Sequence, residues 1–368
     1  MPYHASQEAR TLVARVVRNI SRASEIIHSS PEICTLWRLC LFCVRQAYQQ
    51  DPDYYGRYLA SVLSKYGQSL HDLDAKGSHF EGAISSAAEA VDIRRRLYTR
   101  NPDAEAYKFA QELQLYADLL CANGLPGERA IRSEWVAVLR TLYITYPDRY
   151  AIEICRSLLS YARGLSDTGD EVAALDVYSE AASILRNSYL ESPGTYLPCL
   201  VASLHEYKES LVRAWRLDDA IIVSAELISL LNMLYHFDSA IYDLDYGIGL
   251  VDHARLLFEN RALSEALPAS ADAIAFCAYR RRPWLGEPTA EEARLAKLLY
   301  YLARQAAAAR HYAAASEIVR EALELCAAQG YKYALRAYDL SARLSHVLAC
   351  AGPARMNRRA RKLGLSSA

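Results

Sequence analysis

Few residue groups in this chain have the types and spacing that chemistry requires. A phosphate-binding loop of the form G-x-x-x-x-G-K-[ST] does not occur, and Gly247-Ile248-Gly249 lacks the third glycine and the preceding strand that a dinucleotide site needs. Metal sites need histidine, cysteine or carboxylate side chains at ligand spacing, as in H-E-x-x-H, and the sequence contains no such group. We therefore expect neither a nucleotide cofactor nor a metal ion.

Cysteine and histidine supply two further candidates. Cys40 and Cys43 form a C-x-x-C pair, but they lie in an apolar stretch with no second pair and no strand before them. Buried thiols are expected there rather than a zinc or redox site. His253 stands where other segments of the chain carry tyrosine or leucine, so we expect a hydrogen-bonded core histidine rather than a general base. These observations predict a protein that is not an enzyme and uses no cofactor.

The composition favours a soluble helical protein and excludes several classes. The 368 residues include 42 Lys+Arg and 43 Asp+Glu, and the resulting charge of −1 does not suit a general polyanion binder. Nine scattered cysteines are not the dense, even set of a secreted disulfide framework. The apolar run 39–44 is far shorter than the roughly 18 to 20 residues that span a bilayer. We expect a cytoplasmic protein with no membrane partner.

A repeated word organises the chain. Its form is Leu-x-x-large-small-x-x-Leu, the large residue is often tyrosine, and the apolar positions follow the i, i+3, i+4, i+7 spacing of a helix face. Successive copies are 42 to 50 residues apart. The small-residue column contains Gly67, Ala117, Ala162, Ala254, Ala303 and Ser345. In the fourth copy Lys208 stands where a small residue is expected.

Two further columns follow each word after a short turn. Seven residues separate them, which is about two helical turns, so both face the same neighbour and allow close helix packing. The first column is alanine at 83, 130, 174, 220, 266 and 315, and the second is small or apolar at 90, 137, 181, 227, 273 and 322. Turns at Pro52, Pro102, Pro147 and Pro193 are predicted to mark helix ends.

These columns carry a resemblance to a known family. The spacing Leu158, Tyr161, Ala162, Leu165, Ala174, Tyr178, Ala181 resembles the tetratricopeptide (TPR) pattern of large, large, small, large, then alanine, aromatic, alanine. The longer period resembles the kinesin light chain-like variety of fungal and bacterial arrays. The resemblance implies an all-α fold, a right-handed α-solenoid (superhelix) of about seven antiparallel helix pairs. It also implies a concave face that binds peptides or proteins without catalysis.

The predicted organisation has three parts. Residues 1–53 form an N-terminal capping helix pair, 54–352 the repeat array, and 353–368 a basic C-terminal cap or tail. The repeats fall near 54–104, 105–149, 150–195, 196–240, 241–292, 293–335 and, in part, 336–352. We expect the cations of the tail to keep the last helix soluble, and a nuclear import signal or an RNA contact is the alternative.

The geometry of the family implies which side chains line the concave groove, because they lie at fixed offsets from the large-residue column. They are Gln111, Gln114, Asp118, Arg156, Arg163, His205, Glu209, Arg213, Arg255, Lys297, Tyr300 and Arg304. The middle and later repeats are rich in cations there, which favours an acidic peptide or a carboxylate as partner. A solvated polar face without ligand preference is the alternative interpretation.

The resemblance thus predicts a noncatalytic scaffold that binds a peptide or protein segment, and nucleic acid is not expected as a partner. A second hypothesis is a sensor module of a STAND-type signal-transduction ATPase system whose nucleotide-binding part is not in this chain. The sequence does not predict the partner's identity or the oligomeric state.

Overall fold

The computed structural model describes residues 7–26, 30–73, 79–279, 290–327 and 339–345. Within these ranges the chain is helical apart from short turns and contains no strand. It divides into two compact units, residues 1–192 and 193–368. The all-α prediction is therefore confirmed. The predicted tail 353–368 and the junction 280–289 lie outside the described residues.

Unit 1 consists of four consecutive helix pairs. They are α1 (Gln7–Ile26), α2 (Pro31–Gln50), α3 (Pro52–Leu73), α4 (Phe80–Arg100), α5 (Pro102–Ala122), α6 (Glu128–Thr145), α7 (Pro147–Asp167) and α8 (Glu171–Glu191). Each helix packs against the next, and α3 also packs against α1 and α5. Ion pairs join the even-numbered helices in order: Arg45–Glu89, Arg95–Glu134 and Arg140–Glu180. First and second helices of the pairs thus form two layers.

Unit 2 repeats this arrangement. Its helices are α9 (Pro193–Arg213), α10 (Leu217–Phe237), α11 (Ser239–Glu259), α12 (Leu263–Tyr279), α13 (Ala290–Ala308) and α14 (Tyr312–Ala327), and residues 339–345 are also helical. Helix α10 packs on α9 and α11, α11 also packs on α12 and α13, and α14 packs on α12 and α13. Within each unit, helix pairs that contact mainly their neighbours in the chain have the packing of a TPR-like α-solenoid. The described residues contain seven pairs, α1–α14, which is the predicted number.

The sequence specifies the helix ends directly. Proline is the first residue of α2, α3, α5, α7 and α9, where its missing N–H has no intrahelical acceptor to lose. Asn101 Oδ1 accepts a hydrogen bond from the Ala104 N–H, and Asp238 Oδ1 caps α11 in the same way. The turns at Pro52, Pro102, Pro147 and Pro193 therefore mark helix ends, as predicted.

The predicted alanine column is correct except in α6. Ala83, Ala174, Ala220, Ala266 and Ala315 are completely buried. Ala130 and Ala137, in contrast, are exposed, and the inward positions are one residue later, at half-buried Ile131 and buried Val138. The physical reason is the turn before α6, which spans residues 123–127 where the turn before α8 spans only 168–170. The longer turn shifts the register of α6 relative to the word.

Among the helices that the structure describes, one is apolar enough to cross a membrane by length and composition, namely α10. It also has the packing of a core helix, since Val223, Leu227, Leu231 and Leu234 are buried and it contacts α9 and α11. A core helix of a soluble protein passes the same test of length and composition.

From α5 to α14, each turn inside a helix pair contains a residue with a positive φ. Gly169 has φ +81°, whereas Arg261 has φ +60° at the same place in the corresponding turn, with the same pair of backbone hydrogen bonds. A Cβ atom makes a positive φ unfavourable, and glycine has none. We therefore expect Arg261→Gly to stabilise unit 2 by about 0.5 kcal/mol and Gly169→Ala to destabilise unit 1 by about 1 kcal/mol. Urea denaturation of both variants checks this. A less stable Arg261→Gly protein would contradict it.

Candidate binding cavities

A cavity of about 840 Å³ opens among α1, α3 and α5 in unit 1. Its wall is formed by the faces of three first-layer helices, on which residues spaced three or four apart point the same way. Most of the lining residues are polar or charged, although apolar atoms form more of the lining surface than polar atoms do. The lining residues are Ala14, Val17, Arg18, Ser21, Tyr58, Ser61, Ser64, Lys65, Gln68, His71, Lys108, Gln111, Glu112, Gln114, Leu115, Asp118 and Leu119.

Three of the predicted groove residues, Gln111, Gln114 and Asp118, line this cavity together. Sequence reasoning missed four others that stand at the corresponding offsets from Tyr66 of the first word. They are Ser61, Ser64, Gln68 and His71. The repeated word therefore contained the signal for them. The predicted residues Arg156 and Arg163 lie exposed on α7 and are not part of this lining.

Glu112 connects the cavity wall to a buried ion network. The Arg94 side chain is 2% exposed, and its Nε lies 3.2 and 3.1 Å from the two carboxylate oxygens of Glu112. Its Nη1 lies 2.6 Å from Glu105 Oε2, and its Nη2 lies 3.1 Å from Ser61 Oγ. Burial raises the pKa of Glu112, although Arg94 acts in the opposite direction. Arg94 thus fixes α3 and α5 relative to α4.

The remaining charges of the cavity are mostly positive. Arg18, Lys65 and Lys108 are exposed cations in its lining, and Lys108 Nζ donates to Gln111 Oε1 at 2.9 Å. Asp118 lies 3.7 Å from Arg132 Nη1; burial raises the pKa of its carboxyl group, and Arg132 opposes that shift. The cavity therefore presents more uncompensated positive than negative charge.

Two polar atoms in the lining are buried and have no hydrogen-bond partner within the described ranges, Ser64 Oγ and His71 Nδ1. Buried polar atoms in folded proteins are nearly always hydrogen-bonded. Their position in the wall favours a ligand that supplies hydrogen-bonding groups.

A smaller cavity of about 290 Å³ lies between α9 and α11 in unit 2, with α10 forming part of its wall. Five aliphatic side chains surround it: Val201, Leu227, Leu231, Leu234 and Ile248. The polar lining residues are His205, Lys208, Tyr242, Asp245 and Asp252, and Pro198, Ala202 and Gly249 complete the set. Apolar residues form a larger share of this lining than of the lining in unit 1.

A buried ion pair contributes to this second cavity. Lys208, 2% exposed, pairs with Asp252, 5% exposed, and lies 3.1 Å from Glu209 Oε1. Asp252 also accepts hydrogen bonds from Arg255 Nε and Nη2 at 2.9 and 2.7 Å, and Arg255 Nη1 lies 2.6 Å from Glu259 Oε1. Burial alone would raise the pKa of Asp252, but Lys208 and Arg255 lower it to about 2. Arg255 is therefore largely neutralised inside the protein.

The other predicted groove residues of unit 2 occupy separate places. His205 lines the small cavity, Glu209 is half-exposed beside Lys208, and Arg213 is exposed at the end of α9. On α13, Lys297 and Arg304 are exposed, while Tyr300 is half-buried with its ring 5.6 Å from that of Tyr301. The structure does not bring these α13 residues into the lining of the cavity.

The side chains considered for chemistry occupy structural positions. His253 Nδ1 is buried without a hydrogen-bond partner in the described part of the chain. The prediction that this core histidine is hydrogen-bonded is therefore wrong for Nδ1. Burial lowers the pKa of the His253 side chain. Burial raises the pKa of Cys40 to about 11, which keeps the thiol protonated and a weak nucleophile. Cys43 is exposed, contrary to the prediction of two buried thiols. Gly247 and Gly249 serve helix packing, since a Cβ atom there would lie 3.0 Å from Phe276 and Leu231.

The stacked helix pairs and their repeated word define a TPR-like helical-repeat protein. No protein-family model matches the chain, and no curated protein matches it significantly. Among solved structures, BtubC (BKLC) from P. vanneervenii is 16% identical over 68% of this chain and 92% of its own, with a TM-score of 0.44. A putative kinesin light chain from Podosopora anserina with nearly identical TPR-like repeats is 15% identical over 60% and 96%, with a TM-score of 0.39.

A third similar structure is a STAND protein with a tetratricopeptide repeat sensor from Pyrococcus horikoshii. It is 13% identical, and the match covers 99% of this chain and 53% of that protein, with a TM-score of 0.48.

Proposed function

We propose that this protein is a noncatalytic scaffold that binds an extended segment of a partner protein in the cavity of unit 1. The observation that supports it most is the size and lining of that cavity, about 840 Å³ with many polar and charged side chains from the first-layer helices. Ligand pockets commonly measure roughly 300 to 1,000 Å³, so a segment of several residues is a reasonable occupant.

The lining chemistry suits a peptide backbone. Gln68, Gln111 and Gln114 each carry an amide that both donates and accepts hydrogen bonds. The Ser64 hydroxyl does the same and has no partner among the described residues, whereas Ser61 Oγ already donates to the Arg57 carbonyl and accepts from Arg94. Peptide N–H and C=O groups present alternating donors and acceptors, which such a wall can satisfy along an extended chain.

The charges of the cavity favour an acidic segment. Arg94 compensates Glu112 and Arg132 lies near Asp118, whereas the cations Arg18, Lys65 and Lys108 face the cavity. The acidic partner predicted from the sequence thus finds support in unit 1, but from cations that the sequence mapping did not name. Carboxylates of the partner would pair with these side chains and steer its approach.

Charge reversal tests this proposal. We expect Lys65→Glu combined with Lys108→Glu to reduce capture of the partner from native cell extract by about tenfold, because two attractive pairs become repulsive. Bound proteins are identified by mass spectrometry at about 0.15 M salt, where long-range attraction is screened.

The matched control places the same reversals outside the cavity, at the exposed residues Arg38 on α2 and Arg96 on α4. This control should capture the partner as the wild type does, and circular dichroism should show all three proteins folded. Equal loss in both double variants would mean that general charge, and not the cavity, determines binding.

The sensor-module hypothesis stays a prediction, as does the handedness of the solenoid. We also propose a cytoplasmic location. If the protein accumulates in the nucleus instead, removal of the basic residues 353–368 should abolish that accumulation. Fluorescence microscopy of the intact and shortened chains checks this.

A further inference from the structure

Lys208 interrupts the repeat pattern where the unit 2 cavity forms. Gly67, Ala117, Ala162, Ala254 and Ala303 occupy the same column. A small residue there allows neighbouring helices to approach closely. Lys208 places a long side chain in this position, and its amine pairs with Asp252 of α11. The pair bridges α9 and α11, and both residues line the cavity between these helices.

The size of the cavity matches one bulky side chain. An engineered apolar cavity of roughly 150 Å³ is known to bind benzene, so a volume of about 290 Å³ accommodates a larger ring or a branched aliphatic group. Five aliphatic side chains line it, and removing an apolar group from water into such surroundings is favourable. Buried aromatic anchors of this kind dominate many protein interfaces.

The charges of this cavity differ from those of unit 1. Lys208 is compensated by Asp252 and Glu209, and Arg255 is compensated by Asp252 and Glu259. Asp245 also lines the cavity; it is exposed, and no residue in the described part of the chain forms an ion pair with it. A cation on the occupant would complement it.

We propose that the unit 2 cavity binds a basic, hydrophobic segment of a partner protein, with one bulky apolar side chain inside and a neighbouring lysine or arginine paired with Asp245. The inference depends on the proposed function in that the occupant is a protein segment. It adds a second subsite whose charge preference is opposite to that of unit 1.

Methyl-group NMR with a defined probe tests the proposal. The probe is the peptide acetyl-Lys-Trp-Lys-amide, added to the full chain with labelled valine, leucine and isoleucine methyl groups. We expect saturable shifts at Val201, Leu227, Leu231, Leu234 and Ile248. Acetyl-Lys-Ser-Lys-amide should not shift these signals, and acetyl-Glu-Trp-Glu-amide should bind about fivefold more weakly, the ratio that corresponds to roughly 1 kcal/mol.

Two substitutions separate the apolar and the charged parts of the site. Ala202 lines the cavity and is exposed, so Ala202→Phe should fill the entrance and abolish the shifts, whereas Ala271→Phe on α12, outside the lining, should not. Asp245→Lys should reverse the preference between the lysine and glutamate peptides, and Asp272→Lys on α12 should leave it unchanged.

Absence of methyl shifts with the Lys-Trp-Lys peptide would overturn the proposal, and so would unchanged shifts in Ala202→Phe. Free indole that binds as tightly as the peptide would show a small-molecule site instead of a segment site. None of these outcomes involves a residue of unit 1, so failure here is distinguishable from failure of the capture experiment.

Discussion

Replacing Arg94 by methionine is expected to lower the free energy of unfolding of unit 1 by about 3–5 kcal/mol, because two carboxylates would remain buried without their cation. Arg94 is 2% exposed, and Glu105 and Glu112 are each less than a tenth exposed. Arg57 cannot replace it, since its guanidinium is mostly exposed and 3.7 Å from Glu105 alone.

Hydrogen exchange of the α4 and α5 amides measures this loss without assuming that the two units unfold together. Arg96→Met is the matched control, because Arg96 is exposed and the change should alter stability by less than about 0.5 kcal/mol. Adding Glu105→Gln and Glu112→Gln to Arg94→Met should restore much of the loss. A loss below about 1 kcal/mol in Arg94→Met would show that the buried carboxylates do not depend on it.

Replacing Lys208 by methionine should destabilise unit 2 by about 3 kcal/mol, the lower part of the range for a broken buried pair, because Arg255 still contacts Asp252. The double variant Lys208→Met, Asp252→Leu removes both charges and should recover most of the loss, since apolar replacements of similar volume often substitute for a buried pair. Exchange of the α10 and α11 amides reports both effects. A double variant as unstable as the single one would contradict this explanation.

The pH dependence supplies a second check on the same pair. The pKa of Asp252 is about 2 in the folded protein, below the value near 3.9 expected for an unfolded chain. A lowered carboxyl pKa contributes stability above the unfolded pKa, and this contribution disappears as the pH falls from about 4 towards 2. The wild type should therefore lose more stability over that interval than the double variant.

The fold was largely predictable because its signals are local. Helix ends follow from prolines such as Pro102 and Pro147, and helix faces follow from the spacing within each word. The register error at Ala130 has two causes. The turn before α6 is unusually long, and an alanine stands one residue before the correct inward position. A turn two residues longer rotates the helix face, and the sequence offered a plausible alanine in the wrong place.

The binding residues were harder to predict because their roles depend on distant partners. Gln111 and Gln114 fell in the cavity because fixed offsets place them on the first-layer face. Lys208 pairs with Asp252, 44 positions along the chain, and only the stacking of neighbouring pairs brings them together. Arg255 counted as a groove cation in the sequence, although its partners lie three and four residues away on its own helix. Acidic residues three and four positions from Arg255 are typical of ion pairs within one helix, so the sequence could have predicted these pairs.

The most direct test of the central claim is photo-crosslinking from inside the unit 1 cavity. A photoreactive benzoylphenylalanine is placed at Gln111 or, as the control, at Arg96 outside the cavity, and the protein is irradiated in native extract at about 0.15 M salt. We expect one acidic partner segment to crosslink at position 111, to be absent at position 96, and to disappear when Lys65→Glu and Lys108→Glu are added. Equal crosslinking at both positions, or none at position 111, would contradict the claim that this cavity is the binding site.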